Sequence, residues 1–306
     1  MAVFLTIGTR GSPLALAQAH ETQARLAEAH GVDVQDIAIE VIKTTGDSVQ
    51  NRLLSEIGGK GLFTKEIEEA LLEKRIDLAV HSSKDMPTTL PDGLEISTYF
   101  EREDRRDAII SSFGHSLAAL PKGCVLGSAS LRRVALAKMA RPDLKIIPLR
   151  GNVGTRLNKL DDGVCGATFL AMAGLNRLKI KDERISALKT DEFMPAPGQG
   201  AICIEVRQAD EKVKQLLEPL NHEPTMVELK TERAFLKSLD GSCRTPLAAL
   251  SVIKDNHIRL KGLVVRPDGT DPKEQQGEAA LEDGEKLGKD IGEFLKGQMS
   301  ENYWQS

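Results

Sequence analysis

Leu78-Ala79-Val80-His81-Ser82-Ser83-Lys84-Asp85-Met86-Pro87 follows Arg75-Ile76-Asp77. The apolar run reads as a short buried strand, and Pro87 stops the polar loop after it. A strand that delivers Ser82, Ser83, Lys84 and Asp85 at its C-terminal end puts reactive groups where open α/β sheets bind ligands. A solvated loop with a Lys-Asp pair is the plainer alternative for this segment alone. The surrounding chain supplies many loop cations and few acids, so Asp85 is the candidate acid.

Upstream, residues 3–7 read as a first strand and Gly8-Thr9-Arg10-Gly11 as a turn. Ser12-Pro13 then opens a helix, with serine as N-cap and proline at the first helical position. That start gathers free N–H groups and Arg10 at one point, which suits an anion. Ile37, Ile39 and Val41 alternate as a strand. Gly58-Gly59-Lys60-Gly61 precedes a helix starting near Thr64, with Ile67, Ala70 and Leu71 on one face. The loop lacks the GxxxxGK[ST] spacing of a P-loop. It reads either as a mobile cationic lid or as a plain glycine turn.

Downstream, residues 94–99 form another expected strand. Glu101-Arg102-Glu103-Asp104-Arg105-Arg106-Asp107 reads as a solvated crossing between domains. A strand restarts at Asp107. Cys124-Val-Leu-Gly-Ser128 then leads into Ala129-Ser130-Leu131-Arg132-Arg133 and a helix to Met139. Two arginines in a first helical turn oppose the helix dipole, and an anion there would relieve the conflict. Arg150-Gly-Asn-Val-Gly-Thr-Arg156 repeats the device after a strand at 145–149, and the unit beginning at Val164 carries Arg177. Three such loops in about fifty residues point to a carboxylate or phosphate site. The Pro- and Gly-rich stretch 191–200, before a strand at 201–206, reads as a return crossing. Two crossings between two α/β lobes make a hinged pair.

From about Asn221 the pattern becomes a helix over 223–237, a small antiparallel sheet, and a last helix with Leu287, Ile291, Phe294 and Leu295 at helical spacing. Of four cysteines, Cys124, Cys165 and Cys203 sit in apolar runs and read as buried thiols. Cys243 lies in a Gly-Ser-Cys-Arg-Thr-Pro loop beside Arg244, which favours thiolate. It is the one thiol placed for covalent chemistry.

The chain has 306 residues, enough for two or three domains, with 41% hydrophobic and 28% charged residues. A formal net charge of -4 and only 4% aromatic residues argue against a nucleic-acid binder. No apolar run suits a membrane span. The start of the chain is too short for a signal core and has no basic leader. No cysteine or histidine spacing suits zinc. A cytoplasmic protein without metal is the expectation.

Together, Thr9-Arg-Gly-Ser-Pro-Leu-Ala-Leu, Gly58-Gly-Lys-Gly-Leu-Phe, Ala79-Val-His-Ser-Ser-Lys-Asp-Met-Pro, Ser130-Leu-Arg-Arg and Leu149-Arg-Gly-Asn-Val-Gly-Thr-Arg resemble porphobilinogen deaminases over nearly the whole chain. The most specific piece is Glu232-Arg-Ala-Phe-Leu-Lys-Ser-Leu-Asp-Gly-Ser-Cys-Arg-Thr-Pro-Leu-Ala, which is similar to that family's cofactor-attachment signature. Ser242 stands where the family commonly has glycine. The resemblance implies an α/β fold with two hinged lobes of the type II periplasmic-binding-protein kind and a smaller α+β C-terminal domain. The boundaries expected are 1–100 with 200–218, then 101–199, then 219–306.

The resemblance also implies the activity. Four porphobilinogen molecules are joined head to tail, with loss of ammonia, to linear hydroxymethylbilane on a dipyrromethane cofactor. It implies Cys243 as the thioether anchor and Asp85 as the catalytic acid. Ser82, Lys84, Ser128, Ser130, Arg132, Arg133, Arg150 and Arg156 are the expected cofactor-binding set. Arg10, Ser12, Arg177 and Gln199 are expected at the incoming substrate, and Lys60 on the mobile loop. The protein is expected to act as a monomer on a small molecule, with no nucleic acid, membrane or metal. A non-enzymatic anion-binding module with hinged lobes is the alternative, against which the separate segment carrying Cys243 counts.

Overall fold

The computed structural model describes residues 4–44, 64–241 and 245–304. The chain divides into two compact units, Met1–Glu103 with Ala201–Met226 and Asp104–Gly200 with Val227–Ser306.

In the first unit, β1 (Leu5–Arg10) runs into α1 (Pro13–His30), and β2 (Ile37–Ile42) returns beside it. Ser12 caps α1 by accepting from the Ala15 N–H, with Pro13 at the first turn, as the sequence predicts. Next come α2 (Lys65–Leu72), β3 (Leu78–Ser82) and β4 (Leu94–Tyr99). The chain re-enters this unit as β10 (Ile202–Arg207), followed by α6 (Glu211–Leu217). The sheet order is β2-β1-β3-β10-β4, with β1 parallel to β2 and β3, and β10 antiparallel to β3 and β4. Side chains alternate across these strands. Ile7, Val80, Ile202 and Ile204 pack in one cluster with Ala19 and Leu26 of α1. Ile42 and Ala79 pack on the other face with Ile67 and Leu71 of α2.

The second unit repeats the plan. Its elements are β5 (Asp107–Ser111), β6 (Val125–Gly127), α3 (Leu131–Ala140), β7 (Lys145–Ile147), α4 (Val153–Asp161), β8 (Ala167–Ala171), α5 (Met172–Arg177) and β9 (Ile185–Ala187). The order is β7-β6-β8-β5-β9, with β6 parallel to β7 and β8, and β5 antiparallel to β8 and β9. In both sheets three parallel strands are followed by one antiparallel strand and an edge strand. The C-terminal ends of the parallel strands therefore share one edge in each sheet, the edge at which α/β sheets present ligand-binding loops.

The same unit ends in an α+β portion. Here α7 (Glu223–Ser238) precedes the antiparallel sheet of β11 (Leu247–Lys254), β12 (His257–Val264) and β13 (Lys273–Ala280), and α8 (Gly284–Gly297) closes it. The core joins Phe235 of α7, Leu247, Leu260 and Val264 of the sheet, and Ile291 and Leu295 of α8. Gly284, Gly288 and Gly292 recur every fourth residue along α8, where a Cβ would run into Thr231, Phe235 or Ser238 of α7. The glycines let the two helices approach closely. The polar strand Lys273–Ala280 and the short Ile185–Ala187 had no apolar pattern to announce them.

Candidate active site

At the C-terminal edge of the first sheet, a one-turn helix at Ser83–Asp85 follows β3 directly. The Ser83 N–H donates to the carbonyl of Ala201, the residue just before β10, at 3.0 Å, which ties the turn to the start of that strand. Asp85 is exposed and Lys84 half-buried. A cavity of about 70 Å³ is lined by Asp85, Ser82, His81, Arg10, Ser12 and Gln18. Of the residues expected in the first lobe, Arg10, Ser12, Ser82 and Asp85 line this one cavity, and Lys84 is not part of its lining. The structure adds Gln18, whose Nε2 donates to Ser82 Oγ at 2.9 Å. A larger opening of about 240 Å³ beside Phe113, Cys124 and Cys165 has no charged group in its lining. It lies at the start of β6 and β8, the edge away from the cationic loops.

The second sheet presents its own set at the matching edge. Ser128 follows β6, and its Oγ accepts from the Ser130 N–H at 3.2 Å. Ser130 caps α3 by accepting from the Arg133 N–H. Arg150 follows β7, and Asn152 caps α4. Arg156 Nε donates to the Gly151 carbonyl at 2.8 Å, which folds its guanidinium back over the loop. Arg177 closes α5 and donates to the Gly200 carbonyl at 3.1 Å, while buried Gln199 donates to the Arg105 carbonyl at 2.9 Å.

Arg132 and Arg133 have a partner that sequence reading missed. Both are buried and both pair with Asp107, at 2.8 Å and 2.7 Å. Arg132 also donates to the Met194 carbonyl and Arg133 to that of Phe169. Asp107 is fully buried, so the charged run 101–107 is not the solvated crossing expected of it throughout. Burial alone would raise the Asp107 pKa, but the two guanidiniums outweigh it and hold the carboxyl well below its usual range. The anion that offsets the two arginines in this first helical turn is therefore already in the chain. The signal was available: an aspartate opening an apolar strand is costly to bury unless cations await it.

The first crossing is tied further along. Arg105 pairs with Glu228 of α7 at 2.9 Å and donates to the Ser251 carbonyl at 2.6 Å. One turn on, the buried Glu232 accepts from Gly198 N at 2.7 Å and from Ser251 Oγ at 2.7 Å. The helix that leads toward Cys243 thus grips the Pro- and Gly-rich stretch before β10. Cys243 and Lys60 themselves lie outside the described residues. Cys124, Cys165 and Cys203 are buried free thiols, as their apolar settings imply.

A dipyrromethane carries acetate and propionate carboxylates. Arginines and serine hydroxyls at one strand edge have the donor chemistry such a group needs. Among the described residues no cluster of three His, Cys, Asp or Glu side chains could hold a metal ion. No helix among them is long and apolar enough to cross a membrane.

Fold and site define an α/β protein with two like-ordered sheets, each presenting polar loops at its C-terminal edge, and an α+β C-terminal portion. Residues 5–215 match the model of the porphobilinogen deaminase, dipyromethane cofactor binding domain, and 226–297 that of the porphobilinogen deaminase, C-terminal domain. The chain is 51% identical over 302 residues to the porphobilinogen deaminase of Nitrobacter winogradskyi, covering 99% of this chain and 96% of that one. It is also 51% identical over 302 residues to the Paracoccus denitrificans protein of that name, covering 98% and 96%. Among solved structures, the second substrate binding domain of a putative amino acid ABC transporter from Streptococcus pneumoniae overlays with a TM-score of 0.44 at 12% identity, over 76% of this chain and 93% of that one. The chain belongs to the porphobilinogen deaminase family. It is a transferase that polymerises porphobilinogen head to tail, releasing ammonia, to give hydroxymethylbilane on a dipyrromethane cofactor.

Proposed function

We propose that the condensation takes place at the cavity beside Asp85. The observation that carries this reading is the exposed Asp85, seated directly after β3, with Arg10, Ser12 and Ser82 lining the same cavity. Loss of ammonia from porphobilinogen leaves a cationic methylene-pyrrole. A fixed carboxylate stabilises that charge and accepts hydrogen bonds from pyrrole N–H groups. Arg10 and Ser12 take the incoming substrate's carboxylates, together with Arg177 and Gln199 from the second lobe.

On this reading Cys243 holds the dipyrromethane through a thioether. Lys84, Ser82, Ser128, Ser130, Arg150 and Arg156 bind its carboxylates. When bound, the dipyrromethane supplies the primer on which the chain grows. Arg132 and Arg133 contribute the surplus positive charge of their triad with Asp107, two cations to one anion. The working division is three domains: 1–100 with 200–218, 101–199 and 219–306, the first two hinged at the crossings. The protein works in the cytoplasm as a monomer and without metal.

The test is Asp85→Asn. Its turnover should fall at least about a hundredfold, while the melting temperature and the attached primer mass stay those of the parent. Parent-like turnover would remove Asp85 from the mechanism.

A further inference from the structure

Immediately before the Ser83–Asp85 turn, His81 lies on the strand face opposite Ser82. Its side chain is 5% exposed, and Nε2 sits 3.1 Å from Oε2 of Glu205, which is wholly buried. The register makes the pair. His81 faces Cys203 across β3 and β10, so Glu205 stands two residues along on the same face. Glu68 enters from α2. Burial first, then the charge of Glu205, pushes its pKa up. Glu205 is the carboxyl group within hydrogen-bond distance of the imidazole. Nδ1 has no hydrogen-bond partner among the described residues, yet it is not among the side-chain atoms sealed from solvent. His81 lines the cavity that holds Asp85.

We propose that His81, held through Nε2 by Glu205, accepts at Nδ1 the proton each condensation releases and returns it to the departing ammonia. The inference rests on the reading that condensation takes place beside Asp85. A carboxylate behind a histidine fixes its tautomer: Nε2–H donates to Glu205, and Nδ1 is left as a base. The protonated aminomethyl group loses ammonia, the C–N bonding pair leaving with nitrogen. The α-carbon of the accepting pyrrole forms the C–C bond to the methylene. Its C–H bond then breaks, and that pair restores the aromatic ring. The proton passes to Nδ1 and on to ammonia, giving ammonium. Nothing is oxidised or reduced. Asp85, in the lining of the same cavity, faces the cation. The charged groups around the imidazole are Glu205 from β10, Glu68 from α2, and Asp85 and Arg10 at the cavity. Glu205 is the positioning residue of the pair.

The experiment has two arms. Nitrogen-15 histidine NMR of the purified holoenzyme, against His81→Asn to assign the signal among six histidines, should find Nε2 protonated and Nδ1 bare at the assay pH. Glu205→Gln should lose that tautomer. Kinetics with ordinary and α-deuterated porphobilinogen should show kcat of His81→Asn down about a hundredfold, with KM little changed. An α-deuterium isotope effect absent from the parent should appear in both variants. If His81→Asn does not fold, the isosteric Glu205→Gln carries both readouts. A protonated Nδ1 in the parent, parent-like kcat, or a loss of rate without an isotope effect would overturn the assignment. Asp85→Asn separates the two readings. Retained turnover there defeats the site itself, whereas lost turnover there with an active His81→Asn defeats only the role of His81.

Discussion

Asp107 and Arg133 form an ion pair of 2.7 Å in which the carboxylate is fully buried and the guanidinium 8% exposed. Arg132 completes a triad from the adjacent helical position. Opposite charges out of water attract strongly, but removing one partner strands the other, at about 3–5 kcal/mol. Asp107→Asn should lower the unfolding free energy by about that amount, read from urea denaturation. An unchanged midpoint would show that the triad adds nothing to stability.

The same carboxylate sets a pH dependence. Its folded pKa lies below the unfolded value. Its contribution is therefore complete above the unfolded aspartate range of about 3.9 and lost as pH falls through the folded value. The parent should lose stability on acidification below about pH 4, and Asp107→Asn should lose less over the same interval. Equal acid slopes in the two proteins would contradict this.

Much of this was legible in the chain. Leu78–Val80, with Ser82 to Asp85 behind it, announces a buried strand ending in chemistry. The paired Ser12-Pro13 and Ser130-Leu131 starts announce capped helices after strands. Asp107 was misread because a one-dimensional charge run looks solvated whichever residue turns inward. His81 and Glu205 were not legible as a pair. Their contact depends on the antiparallel register of two strands 124 residues apart. The polar strand Lys273–Ala280 alternates between half-buried and exposed side chains along most of its length, so it carries no apolar signal.

Glu232 anchors two other segments. Its carboxylate accepts from Gly198 N, Ser251 N and Ser251 Oγ, all donors. Glu232→Gln turns an amide donor toward them and should cost about 1–3 kcal/mol. Ser251→Ala should cost about 1 kcal/mol, since its N–H keeps its partner. Hydrogen exchange at the Gly198 amide should quicken in the first variant and not in the second. Equal protection in the parent and Glu232→Gln would contradict the anchor.

Arg150, in the loop after β7, and Arg156, in the first turn of α4, are half-buried cations, unlike the sealed pair on α3. Arg150→Leu and Arg156→Leu should leave stability within about 0.5 kcal/mol. Each should impair loading of the dipyrromethane, or raise KM for porphobilinogen. Normal loading and normal KM in both would take them out of the binding set.

The most direct test of the whole account is the intact mass of the purified protein under denaturing conditions, measured beside Cys243→Ser. The account predicts an excess equal to two pyrrole units on the parent and none on the variant. A parent that stays at bare polypeptide mass even after incubation with porphobilinogen, or a variant that carries the same excess, would contradict it.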